Sequence, residues 1–155
     1  MAGWTRGTAA GQDTVKGPQA PARARELRVL SPEECLDLLE PGGVGRVGLM
    51  SGAGIVILPV NYAVAAGTVV FRTAPDTLLA ACVSGPVSFE ADHFDLANRE
   101  GWSVLMQGHA RMVADEPGVR GLEHGTGLEP WAPGARDVWV RITPGVISGR
   151  RVKQA

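Results

Sequence analysis

The sequence predicts a mainly β protein. Six or seven short strands close into a small barrel, and two or three short helices cover its openings. Three observations support this. Apolar and polar residues alternate in several runs, as they do in half-buried strands. Turn signals recur every ~8–12 residues, the spacing of all-β domains. Glycine, at 21 of 155 residues, supplies the tight turns such a chain needs. No βαβ rhythm and no internal repeat is present, and closing a sheet on itself removes its exposed edges.

Residues 1–27 read as a flexible tail, rich in Gly, Pro, Ala and Arg and without an apolar period. Residues 28–155 read as one domain, whose fold begins at Leu30. Ser31-Pro32-Glu33-Glu34 is a capping box with Pro at the first helical position. Leu36 and Leu39 mark the apolar face of that helix, and Pro41-Gly42-Gly43 stops it. Strands are expected at 45–50, 55–64 and 69–72. Pro59 lacks a ladder donor and belongs at an edge or a break. A short helix follows at 76–82, ended by Gly85-Pro86. Further strands are expected at 87–91 and 102–114, and one helical turn near 119–124. The last two expected strands, 138–143 and 146–152, are separated by a turn at Pro144-Gly145.

Composition excludes several function classes. The net charge is −1, so no general basic field draws the chain to nucleic acid or an anionic membrane. No strand carries the several aromatics of a base-stacking surface. No apolar run reaches the ~18 residues of a membrane span, and the N-terminus has no secretory h-region. Cys35 and Cys82 have no CxxC spacing and read as reduced, small core residues. A cytoplasmic protein is expected. His93, His109 and His124 have no metal-ligand spacing, so no metal is expected.

Three segments could carry chemistry. At Arg72-Thr73-Ala74-Pro75-Asp76-Thr77, Thr73 could cap a helix whose amides, with the Arg72 fork, would receive a phosphate. An ordinary capped helix with a solvated Arg is an equally good reading. Asn61, polar within Leu58-Pro59-Val60-Asn61-Tyr62, has the donors and acceptors to recognise a heterocycle edge, or a neighbouring backbone. Trp102, in Gly101-Trp102-Ser103-Val104, could stack on a planar ligand or bury at a subunit interface, with plain core packing as the default reading. No nucleophile or acid–base pair stands out, so reactivity would have to come from a cofactor.

Together these segments resemble the pyridoxamine 5′-phosphate oxidase-like family with its FMN-binding split β-barrel, most closely its short actinobacterial-type members. Gly45-Arg46-Val47, Leu58 to Tyr62, Phe71 to Ala74, Val87-x-Phe89-Glu90-x-Asp92 and Gly101 to Val104 carry the likeness. Pro130-Trp131-Ala132-Pro133-Gly134 and Ser148-Gly149-Arg150-Arg151 complete it. The resemblance runs from about Leu30 to Val152 and implies a homodimer with FMN at the subunit interface. Carried over by position, it places Pro59, Val60, Asn61 and Tyr62 along the pyrimidine side of the flavin ring. Phe71, Arg72, Thr73 and Thr77 lie beside the flavin and its phosphate. Trp102 and Ser103 approach from the partner subunit, and Trp139 and Arg141 lie near the C-terminal strand.

Two departures qualify the implied activity. Relatives usually follow the Arg-Thr turn with a Gly-Ser/Thr-Lys-like sequence, whereas this chain has Pro75-Asp76-Thr77-Leu78. Loss of that cation weakens phosphate binding by ~1–3 kcal/mol. Vitamin B6 oxidases carry an Arg-x-His motif that Val140-Arg141-Ile142-Thr143 lacks. The expectation is therefore a flavin-dependent oxidoreductase acting on a small molecule other than vitamin B6. The alternative is a non-catalytic binder or sensor of a flavin, deazaflavin or haem, or a chain that has lost its cofactor.

Overall fold

The computed structural model describes residues 24–155, so most of the expected tail at 1–27 lies outside the described residues. Seven strands and three helices follow in order. They are β1 (Arg25–Leu30), α1 (Pro32–Leu39), β2 (Gly43–Ser51), β3 (Gly54–Ala65), β4 (Thr68–Thr73), α2 (Leu78–Cys82), β5 (Gly85–Asp95), β6 (Glu100–Val113), α3 (Glu116–Thr126) and β7 (Val138–Gln154). All strand pairs are antiparallel. β7 pairs with β4 at one end and with β6 along most of its length, which closes six strands into a barrel. β1 lies outside the closed ring, against residues 149–154 of β7.

Alternation decides which side chains enter the barrel. Val47, Leu49, Val60, Tyr62, Phe71, Phe89, Val104, Met106, Val140 and Ile142 fill it. The Tyr62 and Phe89 rings meet edge to face at 4.9 Å, a favoured aromatic geometry. Gly45 faces these rings, and a Cβ there would collide with the Phe89 ring. Helix α1 forms as expected. Ser31 accepts from the Glu34 amide, and the Glu34 carboxylate accepts from the Ser31 amide. Its buried residues Cys35 and Leu39 join the core. Burial, then the Glu34 charge, push the Cys35 thiol above its usual pKa, as befits a core thiol rather than a reactive one. A smaller cluster of Val70, Leu122 and Trp139 lies outside the barrel, under α3.

The structure corrects four local expectations. β1 starts at Arg25, upstream of the Leu30 start and of the boundary at residue 28. The two expected C-terminal strands are one, β7. Pro144 sits opposite Gly108 and Val146 opposite Gln107, so the Pro-Gly signal is absorbed as an irregularity in the ladder. α2 is capped by Thr77, whose hydroxyl accepts from the Ala80 amide, not by Thr73. The helical turn near 119–124 extends to all of α3, which Asp115 caps and Pro117 helps to start. Pro59 falls where expected. β4 pairs with β3 only from Tyr62 onward, so Pro59 sits where β3 is paired on the β2 side alone.

Among the described residues no helix is long and apolar enough to cross a membrane.

Candidate functional site at the barrel mouth

The β2–β5 seam is short. Arg46, Val47 and Gly48 pair with Glu90, Phe89 and Ser88, and there the ladder ends. Beyond Arg46 the two strands part and leave a cavity of about 380 Å³. Val44, Arg46, Tyr62, Asp92, His93 and Trp102 line it, with the Pro41-Gly42 turn after α1. A second cavity of about 200 Å³ shares Pro41 and Tyr62 and adds Asn61, Leu128 and Trp131. The mouth therefore has aromatic walls and a few polar groups, the usual make-up of a small-molecule site.

Arg46 sets the charge there. Its guanidinium donates to Glu90 at 3.0 Å and to Asp92 at 3.2 Å. Burial, then the neighbouring Asp92, push the Glu90 carboxyl above its ordinary value, and Arg46 pulls it back. Burial pushes the Tyr62 hydroxyl up to about 12, so it stays protonated at neutral pH.

The twelve residues singled out in the sequence fall on different surfaces. On β3, Val60 and Tyr62 are buried in the barrel core, whereas the alternate residues Pro59 and Asn61 face the other way. On β4, Phe71 and Thr73 are buried and Arg72 is not. Phe71 is fully buried and offers no exposed surface to a ligand. The hydroxyls of Thr73 and Thr77 are bonded to each other at 2.8 Å, and Thr77 also donates to the Ala74 carbonyl. Trp102 lines the mouth, and Ser103 takes the opposite face of β6. Trp139 is buried in the cluster under α3, and Arg141 lies two residues further along the same face. The structure thus gathers Asn61, Tyr62 and Trp102 at the mouth. Arg72 and Trp139 form a separate group, with the guanidinium 5.2 Å from the indole centroid.

Asn61 and Arg72 share something that the sequence did not disclose. The Asn61 side-chain oxygen accepts from the Trp131 amide at 2.8 Å. Arg72 Nε donates to the Arg136 carbonyl at 2.8 Å, and its guanidinium lies 3.7 Å from the Asp137 carboxylate. Both side chains hold the segment between α3 and β7. The Arg46–Glu90–Asp92 cluster was also missed, because only strand register reveals it. Two buried donors, Trp139 Nε1 and Arg141 Nε, have no acceptor in the structure.

Known proteins share this architecture. A FAD-binding protein from Mycobacterium smegmatis is 37% identical, with a TM-score of 0.67 over 79% of this chain and 96% of that one. A FAD-binding protein from Mesorhizobium loti, 22% identical, has the same fold, with a TM-score of 0.67 over 84% of this chain and 99% of that one. The uncharacterized protein Rv0080 of Mycobacterium tuberculosis is 34% identical over 139 residues, 86% of this chain and 90% of its own length. The family model for pyridoxamine 5′-phosphate oxidase matches residues 31–151. The split β-barrel, its mouth and this match agree: the chain belongs to the pyridoxamine 5′-phosphate oxidase family.

Proposed function

We propose that this protein binds a flavin nucleotide, FMN by the family likeness, and acts as a homodimeric oxidoreductase on a small molecule other than vitamin B6. The observation that carries the reading is the barrel mouth. Tyr62 and Trp102 wall one cavity, and Asn61 and Tyr62 line the adjoining one, so aromatic faces and a polar carboxamide meet at one opening, as a planar heterocycle requires. The FAD-binding relative from M. smegmatis supports the same cofactor class.

A bound flavin supplies the electron transfer, for which the chain itself has no group. The chain's residues bind and orient it. The Asn61 carboxamide offers a donor and an acceptor to a heterocycle edge. Trp102 offers a stacking face at the mouth. Arg72 provides the cation for the phosphate. Tyr62, neutral and half of an aromatic pair, helps keep the mouth dry.

An apolar groove on the outside of the barrel supports a second subunit there. Met50, Ile55, Ile57 and Val146 are exposed along a hollow of about 630 Å³ floored by Gly48 and Ser88. Exposed apolar surface of this kind marks an interface, and we assign it to a second copy.

A non-catalytic flavin carrier is the second reading. It is favoured by Asp76 in the phosphate turn and by the engagement of Arg72 with Arg136 and Asp137. Reduction separates the two readings. An enzyme bleaches when NAD(P)H is added and recolours with an electron acceptor. A carrier keeps its colour with every physiological reductant, an outcome that excludes the oxidoreductase.

A further inference from the structure

We propose that residues 127–137 form a strap that competes with the cofactor for Asn61 and Arg72 and is released when the cofactor binds. This rests on the flavin reading above and adds a regulation of the same site. The strap joins α3 to β7 and has no regular secondary structure. Gly127 opens it with a left-handed backbone, and Gly134 has a φ of +91°. Pro130 and Pro133 cannot donate backbone hydrogen bonds. At its base Leu128 packs on the Val70–Leu122–Trp139 cluster. Beyond that point its attachments are polar: Trp131 to Asn61, Arg136 to Arg72 and Asp137 to Arg72. Trp131 is 79% exposed and residues 132–135 are exposed as well, so no apolar burial anchors the tip. An arm held only by a few hydrogen bonds lies at the low-stability end of a fold.

The chemistry of the tethers sets them in competition with a ligand. Asp137 places a carboxylate where an anionic ligand of Arg72 would sit, and two anions compete for one guanidinium. The Arg136 carbonyl occupies Nε, one of the donors that a bidentate phosphate contact uses. The Trp131 amide takes up the Asn61 oxygen, the acceptor that a heterocycle N–H requires. Binding at either residue therefore weakens the strap's hold, and loosening the strap favours binding.

The test measures FMN binding to the full chain and to Asp137→Asn, and hydrogen exchange of residues 127–137 in the wild type with and without saturating FMN. Asp137→Asn is a safe variant, because that side chain is 78% exposed. The proposal expects Asp137→Asn to bind FMN about two- to fivefold more tightly, the range for removing one surface ion pair. It also expects exchange in 127–137 to rise on FMN binding while exchange in β3 and β4 falls. If FMN binds but exchange in 127–137 is unchanged or slower, the strap is refuted and the flavin reading stands. Equal or weaker FMN binding by Asp137→Asn likewise refutes it. If neither protein takes up FMN, the flavin reading fails and the strap's competition fails with it.

Discussion

Asn61 and Trp131, 70 positions apart in sequence, are joined by a 2.8 Å hydrogen bond from the Trp131 backbone to the Asn61 side chain. The bond links the strand that borders the barrel mouth to the segment that crosses beside it. Asn61→Ala removes the acceptor and should free the tip of that segment without unfolding the barrel. Limited proteolysis between residues 131 and 136 should accelerate several-fold, while global stability falls by no more than about 1 kcal/mol, the net worth of one such bond.

Gly108 faces a different constraint. A Cβ there would collide with the Thr143 carbonyl, where β6 and β7 shift register. Backbone cannot yield as a side-chain tip can. Gly108→Ala should therefore cost about 1–3 kcal/mol in chemical denaturation, as overpacking does. Gly48→Ala, whose Cβ would meet only Ser88 at 3.8 Å, should be close to neutral and serves as the control.

The Arg46 cluster sets a pH dependence. Glu90 is held above its ordinary value of 4.5, first by burial and then by Asp92. A carboxyl raised in the folded state contributes stability below its unfolded pKa, and that stability is lost as pH rises through the folded value. Arg46 limits the loss by pulling Glu90 down. Arg46→Met removes that pull and leaves two carboxylates side by side. The variant should be less stable than wild type by an amount that grows from about pH 4 to about pH 7. Denaturation at the two pH values checks the sign, and NMR titration of the Glu90 carboxyl should show its pKa rising further in the variant.

The apolar groove yields a prediction about assembly. Ile57, 68% exposed in the single chain, lines it. Sedimentation of the wild type should give twice the 16.2 kDa chain mass, and Ile57→Lys should shift the species to one chain.

Local chemistry was legible in the sequence where it is self-contained. Ser31-Pro32-Glu33-Glu34 carries its whole capping box within four residues, and the structure realises it. Strands β2, β3, β5 and β6 were legible because buried and open positions alternate along them, and β4 because its apolar run Val69-Val70-Phe71 follows a turn signal and is buried throughout. β1 was not, because Leu27 and Val29 are exposed and its order comes from β7, more than 100 residues away. The Pro144-Gly145 turn signal lost to the ladder because Gly108, without a Cβ, lets β6 approach there. At the site, Asn61, Tyr62 and Trp102 were singled out by residue type and likeness; Tyr62 and Trp102 line one cavity, and Asn61 lines a second that shares Tyr62. Their faces were harder to read, since Phe71 and Arg72 are neighbours in sequence on opposite sides of one strand. The strap's hold on Asn61 and Arg72 depends wholly on tertiary geometry.

On the proposed reading, the mouth and the Arg72 group together bind a flavin. Calorimetric titration of the full chain with FMN, and separately with FAD, tests it most directly. Saturable micromolar or tighter binding of one flavin per chain is expected, weakened by about tenfold or more in Arg72→Ala. Failure to take up either flavin at micromolar concentration, or binding that Arg72→Ala leaves unchanged, would contradict it.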